Sequence, residues 1–99
     1  MKILAMEKDV PDVRDNMFTE ELLSAEAARV WVLYQTGVIR ELYFRSDREA
    51  AVLVLECPSP EDATRVLATL PLVERNLIHF EVVPLRSYPG FERLFQRRK

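Results

Sequence analysis

Glu26 is the residue whose type fits its surroundings least. On a helix turning about 100° per residue, Leu22, Leu23, Val30 and Leu33 fall on one arc, and Glu26 sits near the middle of it with Arg29 on the flank. A carboxylate there is aimed at the core. Burial disfavours its charged form and raises its pKa, which suits a general acid/base working nearer neutrality. The same position would also hold a structural ion pair, with Arg29 three residues on or with Arg40, which unbroken alternation places on the helix-facing side of the second strand. Arg40 would either clamp a substrate carboxylate by a bidentate hydrogen bond, or snorkel to the sheet edge and neutralise Glu26. His79, the one histidine, shares a strand face with Glu81 and could shuttle protons or line a substrate or metal site. Without cysteine or further histidine at ligand spacing, it fits an interface or surface position as well. Tyr43, Tyr34 and Trp31 could wall a pocket, although aromatics at such spacing also form plain core or interface.

Other chemistries find no footing. The sequence has two glycines and no glycine-rich phosphate loop, G-x-S-x-G elbow, CxxC or HExxH, so neither a nucleotide cofactor nor a metal is expected. The net charge of −2 supplies no basic field for nucleic acid or anionic lipid. RNA-recognition domains need glycine and aromatics on the third strand, whereas this one reads Glu49-Ala50-Ala51-Val52-Leu53-Val54. Cys57 follows Val52-Leu53-Val54-Leu55 and reads as a small buried hydrophobe in a reducing compartment. The N-terminal apolar run meets Glu7-Lys8-Asp9 too soon for a secretory signal, and no run approaches the roughly 20 residues of a membrane span. A cytoplasmic chain without membrane contact is the expectation.

These side chains need elements to position them, and 99 residues suffice for one domain, spanning 1–99, with 87–99 as a terminal turn, short helix and tail. Residues 2–6 read as a buried strand and Glu7 to Asn16 as a polar loop. From about Thr19 to Thr36 the spacing is helical, with Glu20 and Glu21 in the first turn and Gly37 placed to stop it. Val38 to Arg45 and Ala50 to Cys57 are β-rich runs joined by Ser46-Asp47-Arg48-Glu49, an antiparallel hairpin. Ser59-Pro60-Glu61-Asp62 opens a second helix running to Thr69, which Pro71 closes. Leu77 to Leu85 is the last strand, and Pro84 marks a strand end or sheet edge. The order is βαββαβ, an α+β, ferredoxin-like plan: a four-stranded antiparallel sheet with two helices on one face. The set Ile78, Phe80 and Val82 faces the helices, leaving a mixed face that suits a second subunit's sheet, so the expectation is a homodimer or higher homo-oligomer. Phe91, Leu94 and Phe95 form a further apolar patch that must dock somewhere, while Arg97-Arg98-Lys99 is expected to fray.

The motif order resembles the muconolactone isomerase family from strand one to Arg86. The likeness rests on Glu26 eleven residues before Gly37, on Arg40 and Leu42 opening the next strand, and on Leu70-Pro71-Leu72 followed by Glu81-Val82-Val83-Pro84-Leu85 and Tyr88-Pro89. It implies a ferredoxin-like subunit in a dimeric α/β barrel. It also implies a cofactor-free proton shift between carbons of an unsaturated lactone in aromatic-compound breakdown, with Glu26 carrying the proton. The chain differs from the family pattern at Leu23 (lysine in the family), at Glu41 (histidine), in the hairpin segment Asp47-Arg48-Glu49-Ala50-Ala51, and in three extra residues between Leu72 and the last strand. Two functions fit. One is an isomerase-like proton-transfer enzyme on a small, acidic, cyclic substrate, with Glu26 as acid/base and Arg40, His79 and Tyr43 binding substrate. The other is a non-enzymatic dimeric module of the same fold that binds a small ligand or simply assembles, with Glu26 in a structural ion pair.

Overall fold

The computed structural model describes residues 1–96. Four strands, β1 (Lys2–Asp9), β2 (Ile39–Phe44), β3 (Ala51–Glu56) and β4 (Ile78–Pro84), form one antiparallel sheet in the order β2-β3-β1-β4. Helix α1 (Glu20–Gln35) joins β1 to β2, and α2 (Pro60–Leu67) with a single-turn α3 (Pro71–Glu74) joins β3 to β4. This is the expected ferredoxin-like plan. The basic end Arg97-Arg98-Lys99 lies outside the described residues.

Local chemistry sets the boundaries. The Thr19 hydroxyl accepts the Leu22 amide at 3.2 Å and starts α1. Gly37, at φ +85°, ends it in the left-handed region. Ser59 accepts the Asp62 amide at 3.1 Å, with Pro60 in the first turn of α2. Pro71 closes α2 and also opens α3, since a proline at a helix start gives up an amide that would have no partner there. The extra turn was not expected from the sequence.

Three departures from the sequence reading bear on the site. First, β1 continues through Glu7, Lys8 and Asp9, where a loop was expected. Pairing with β4 carries it there, Glu7 opposite Phe80, Lys8 opposite His79 and Asp9 opposite Ile78. Second, the β2–β3 ladder shifts between Ile39 and Glu41, so Arg40 is an extra residue in the strand. The bulge breaks the alternation: Ile39 is buried on the helix-facing side, which it shares with the more exposed Leu42 and Phe44, and Arg40 leaves that face. The Arg40 Nε donates instead to the Gly37 carbonyl at 2.6 Å. Third, the Phe91, Leu94 and Phe95 patch, expected to dock on its own sheet or on a neighbour, does not bury on its own sheet: these side chains are exposed on a 3-10 turn at Gly90–Leu94 and just after it.

The main core lies between the sheet and helices α1 and α2, where Ile3, Ala5, Leu33, Ile39, Leu53, Leu55, Cys57, Ala63, Leu67 and Leu70 are buried. A smaller cluster, Leu72, Leu77 and Ile78, gathers Val13, Met17, Phe18 and Leu22. Burial pushes the Cys57 thiol pKa up, as the reading of an inert buried cysteine requires. On the opposite face Leu4, Met6, Val52, Val54 and Val83 share rows of the sheet and stay half-buried, with no layer over them among the described residues. No described helix is long and apolar enough to cross a membrane.

Replacing Gly37 with alanine should lower stability by about 1–2 kcal/mol in chemical denaturation, through left-handed strain alone. The nearest atom to an added Cβ, the Arg40 Nε, lies 3.8 Å away and would not clash.

Candidate active site

Helix α1 is pinned to the rest of the domain at two levels. Leu33 near its C-terminal end enters the main core, while about two turns earlier Glu26 reaches across to α3 and accepts the Leu72 amide on Oε1 at 2.9 Å. That amide is one of the donors a helix start leaves unpaired, and Leu70 at the cap position offers no side chain to fill it. Between these two anchors α1 stands off the sheet. The gap is a cavity of about 350 Å³, the size range of small-molecule sites.

Its walls are almost wholly apolar. Leu23, Ala27 and Val30 come from α1, Leu42 and Phe44 from β2, Leu53 from β3, Leu70 and Leu72 from the α2–α3 corner, and Ile78 and Phe80 from β4. Two carboxylates break this lining, Glu26 and Glu7. Glu26 is half-buried, and its second oxygen makes no hydrogen bond among the described residues. Desolvation pushes its pKa above the usual carboxylate range. The Leu72 amide opposes that shift, and the negative charge of Glu7 adds to it.

Glu7 was not legible as a site residue because the charge run Glu7-Lys8-Asp9 reads as a loop. The signal was the alternation Ile3, Ala5, Glu7, which continues the inward face of β1 by one more step. Ile3 lies opposite Leu55 and Ala5 opposite Leu53, and the next place in that register belongs to Glu7 and Ala51. The Glu7 Oε1 accepts the Ala51 amide there at 3.0 Å, holding the carboxylate at the cavity's sheet side.

The remaining candidates lie elsewhere. Neither Arg29 nor Arg40 pairs with Glu26: the Arg29 Nε donates to the Thr69 hydroxyl at 3.0 Å, and Arg40 is held by Gly37 at the bulge. The structural ion pair that sequence offered for Glu26 is therefore not formed. His79 is exposed opposite Lys8 on the open face of the sheet, near Glu81, whose carboxylate lies 3.4 Å from the Lys8 Nζ. Tyr43 borders the cavity, but it is 58% exposed and its hydroxyl donates to the Glu41 Oε1 at 2.9 Å. Tyr34 and Trp31 are exposed on α1, their ring centroids 6.2 Å apart. No group of acidic, histidine or cysteine side chains among the described residues is arranged to hold a metal ion.

A four-stranded antiparallel sheet, helices on one side and an apolar cavity with a desolvated carboxylate between them define an isomerase-like small-molecule enzyme fold. The chain matches the profile of the muconolactone delta-isomerase family over residues 3–90 and belongs to that family. Its fold is similar to the crystal structure of muconolactone isomerase, with TM-score 0.74 and 24% identity over 91% of this chain and 93% of that one. It is also similar to the 5-chloro-2-hydroxyhydroquinone dehydrochlorinase of Burkholderia phenoliruptrix in complex with 2,5-dihydroxybenzoquinone, with TM-score 0.63 and 16% identity over 91% and 98% of the two chains. No curated protein sequence gives a significant match.

A raised folded-state pKa means that the stability Glu26 contributes is fully present below its unfolded pKa and is lost as pH rises through the folded value. Glu26→Gln keeps an oxygen for the Leu72 amide and removes the desolvated charge. The variant's melting temperature should equal or exceed that of the wild type at about pH 7, and the difference should shrink toward about pH 4, where the wild-type carboxyl is protonated. A drop of several degrees at the higher pH would mean that a cation pairs with Glu26 after all.

Proposed function

We propose that this protein is a cofactor-independent isomerase that moves a proton between two carbons of a small cyclic, lactone-type substrate, with Glu26 as the acid/base. The observation that carries the reading is the half-buried Glu26 carboxylate, hydrogen-bonded through one oxygen only and set in an apolar cavity large enough for a single ring. In such a shift the carboxylate takes a proton from a ring carbon and the C–H electrons delocalise toward the lactone carbonyl. The same carboxyl then returns the proton to a second carbon as the double bond moves. Nothing is oxidised or reduced and no group leaves, so one residue can close the cycle. A carboxylate with a raised pKa is the stronger base toward a carbon acid, and an apolar wall sharpens that difference.

Membership of the muconolactone delta-isomerase family supports the reaction class. Muconolactone is accordingly the first substrate to try, followed by uncharged unsaturated lactones. Ultraviolet-monitored turnover should appear with the wild type and fall by roughly 100-fold or more in Glu26→Gln. Turnover that survives the substitution would remove Glu26 from the mechanism. Binding without turnover would favour the second reading, a ligand-binding module, which draws on Leu23 bordering the cavity where the family resemblance places a lysine.

We further propose a cytoplasmic homodimer, or a larger homo-oligomer, built through the open face of the sheet. The support is the half-buried row Leu4, Val54 and Val83, apolar yet without a covering layer among the described residues. In that arrangement His79, Tyr43 and Glu41 would sit at or beside the contact. Light scattering should give at least twice the chain mass for the wild type, and Val54→Lys should shift it toward the monomer. An unchanged mass would place the contact elsewhere.

A further inference from the structure

We infer that the cavity selects an uncharged ring compound over a carboxylate-bearing one, and that Glu7 is the residue that sets this preference. The inference rests on the proposed ligand site at Glu26 and deepens it by naming the charge class of the substrate.

Charge inside the cavity is one-sided. Among its described lining residues Glu7 and Glu26 are the carboxylic acids, and no lysine, arginine or histidine joins them. The cations that α1 and the β2–β3 loop could have supplied are engaged elsewhere. Arg29 is on Thr69 and Arg40 on the Gly37 carbonyl, while Arg45 lies 2.6 Å from Asp47 and Arg48 2.8 Å from Asp9. A broad groove of about 820 Å³ shares Glu7, Leu23, Phe44, Leu72 and Ile78 with the cavity, and it adds Asp15 and Glu49 to the acidic side beside Asp9, which Arg48 pairs. A ligand carboxylate entering this space would lose its hydration against apolar walls and meet like charge, and no cation among the described lining residues offsets either cost. An uncharged ring meets only the apolar walls and two carboxyl groups able to accept its hydroxyls.

Glu7 is placed to decide this. The Ala51 amide fixes it in the position of the next pair of the β1–β3 register, so its carboxylate cannot swing clear without breaking that bond. Glu26 is needed for the proton transfer and its pKa is raised by burial. Glu7 is the second carboxylate, and no step of the proposed proton shift requires it.

The test uses the saturated analogue of muconolactone and its methyl ester, a pair of nearly equal shape with no double bond to shift, titrated calorimetrically into the intact protein at neutral pH. Wild type should bind the ester roughly tenfold more tightly than the acid. Glu7→Gln, which keeps an acceptor for the Ala51 amide, should narrow that gap to within about threefold, through tighter binding of the acid. Three results would overturn the inference: equal or tighter binding of the acid by wild type, a gap unchanged in Glu7→Gln, or no binding of either compound. Because neither compound can turn over, the outcome is separate from the isomerase reading. A gap with no turnover of any unsaturated lactone sinks the isomerase alone, and turnover through Glu26 with equal binding sinks this inference alone.

Discussion

The hydrogen bond from the Leu72 amide to the Glu26 carboxylate joins the two halves of this domain. It runs from the middle of the long helix to the start of a helical turn that has no cap of its own, so one contact finishes α3 and, with the Arg29–Thr69 hydrogen bond and the packing of Leu33, holds α1 in place. Were Glu26 a leucine, α1 could settle onto β2 and β3 and the gap would fill, leaving the amide unpaired. The cavity and the altered proton affinity of its carboxyl thus have a common origin. A polar group is held where packing alone would place an apolar one, and the walls around it are kept apart.

How well the sequence predicts this arrangement depends on whether neighbours or long-range pairing decided each element. Both main helices, with their Thr19 and Ser59 caps and the Gly37 stop, follow from local chemistry and were legible. The inward place of Glu26 followed from helical spacing, and the resemblance read from the blocks around Glu26, Leu70-Pro71-Leu72 and Glu81-Val82-Val83-Pro84 agrees with the family match over residues 3–90. What escaped was decided across the sheet. Lys8 and Asp9 are strand residues only because β4 pairs with them, and no window around Glu7 contains that information. Arg40 was assigned to the wrong face because a one-residue bulge reverses every alternation count beyond it.

That bulge also shapes the chemistry. With Arg40 on the helix side, the cavity would have held a guanidinium facing Glu26, and burial and charge would have worked against each other on the carboxyl. With Arg40 tied to the Gly37 carbonyl, Glu26 is left with desolvation, one amide and the like charge of Glu7. Family membership and charge pattern therefore address different questions. The first gives an isomerase-like small-molecule enzyme fold, and the second bears on which molecules the cavity admits.

The outermost strands show how the molecule limits its own polymerisation. β2 and β4 both present an unpaired edge, the feature by which sheets recruit further strands and grow into fibres. One edge is kinked by the bulge at Arg40, and the other ends on Pro84, which has no amide to donate. Strand-by-strand extension is obstructed on both sides, while the face of the sheet that carries Leu4, Val54 and Val83 beside Lys8, His79 and Glu81 is left open. Two such domains can meet face to face and stop there, a closed association in place of an endless ribbon.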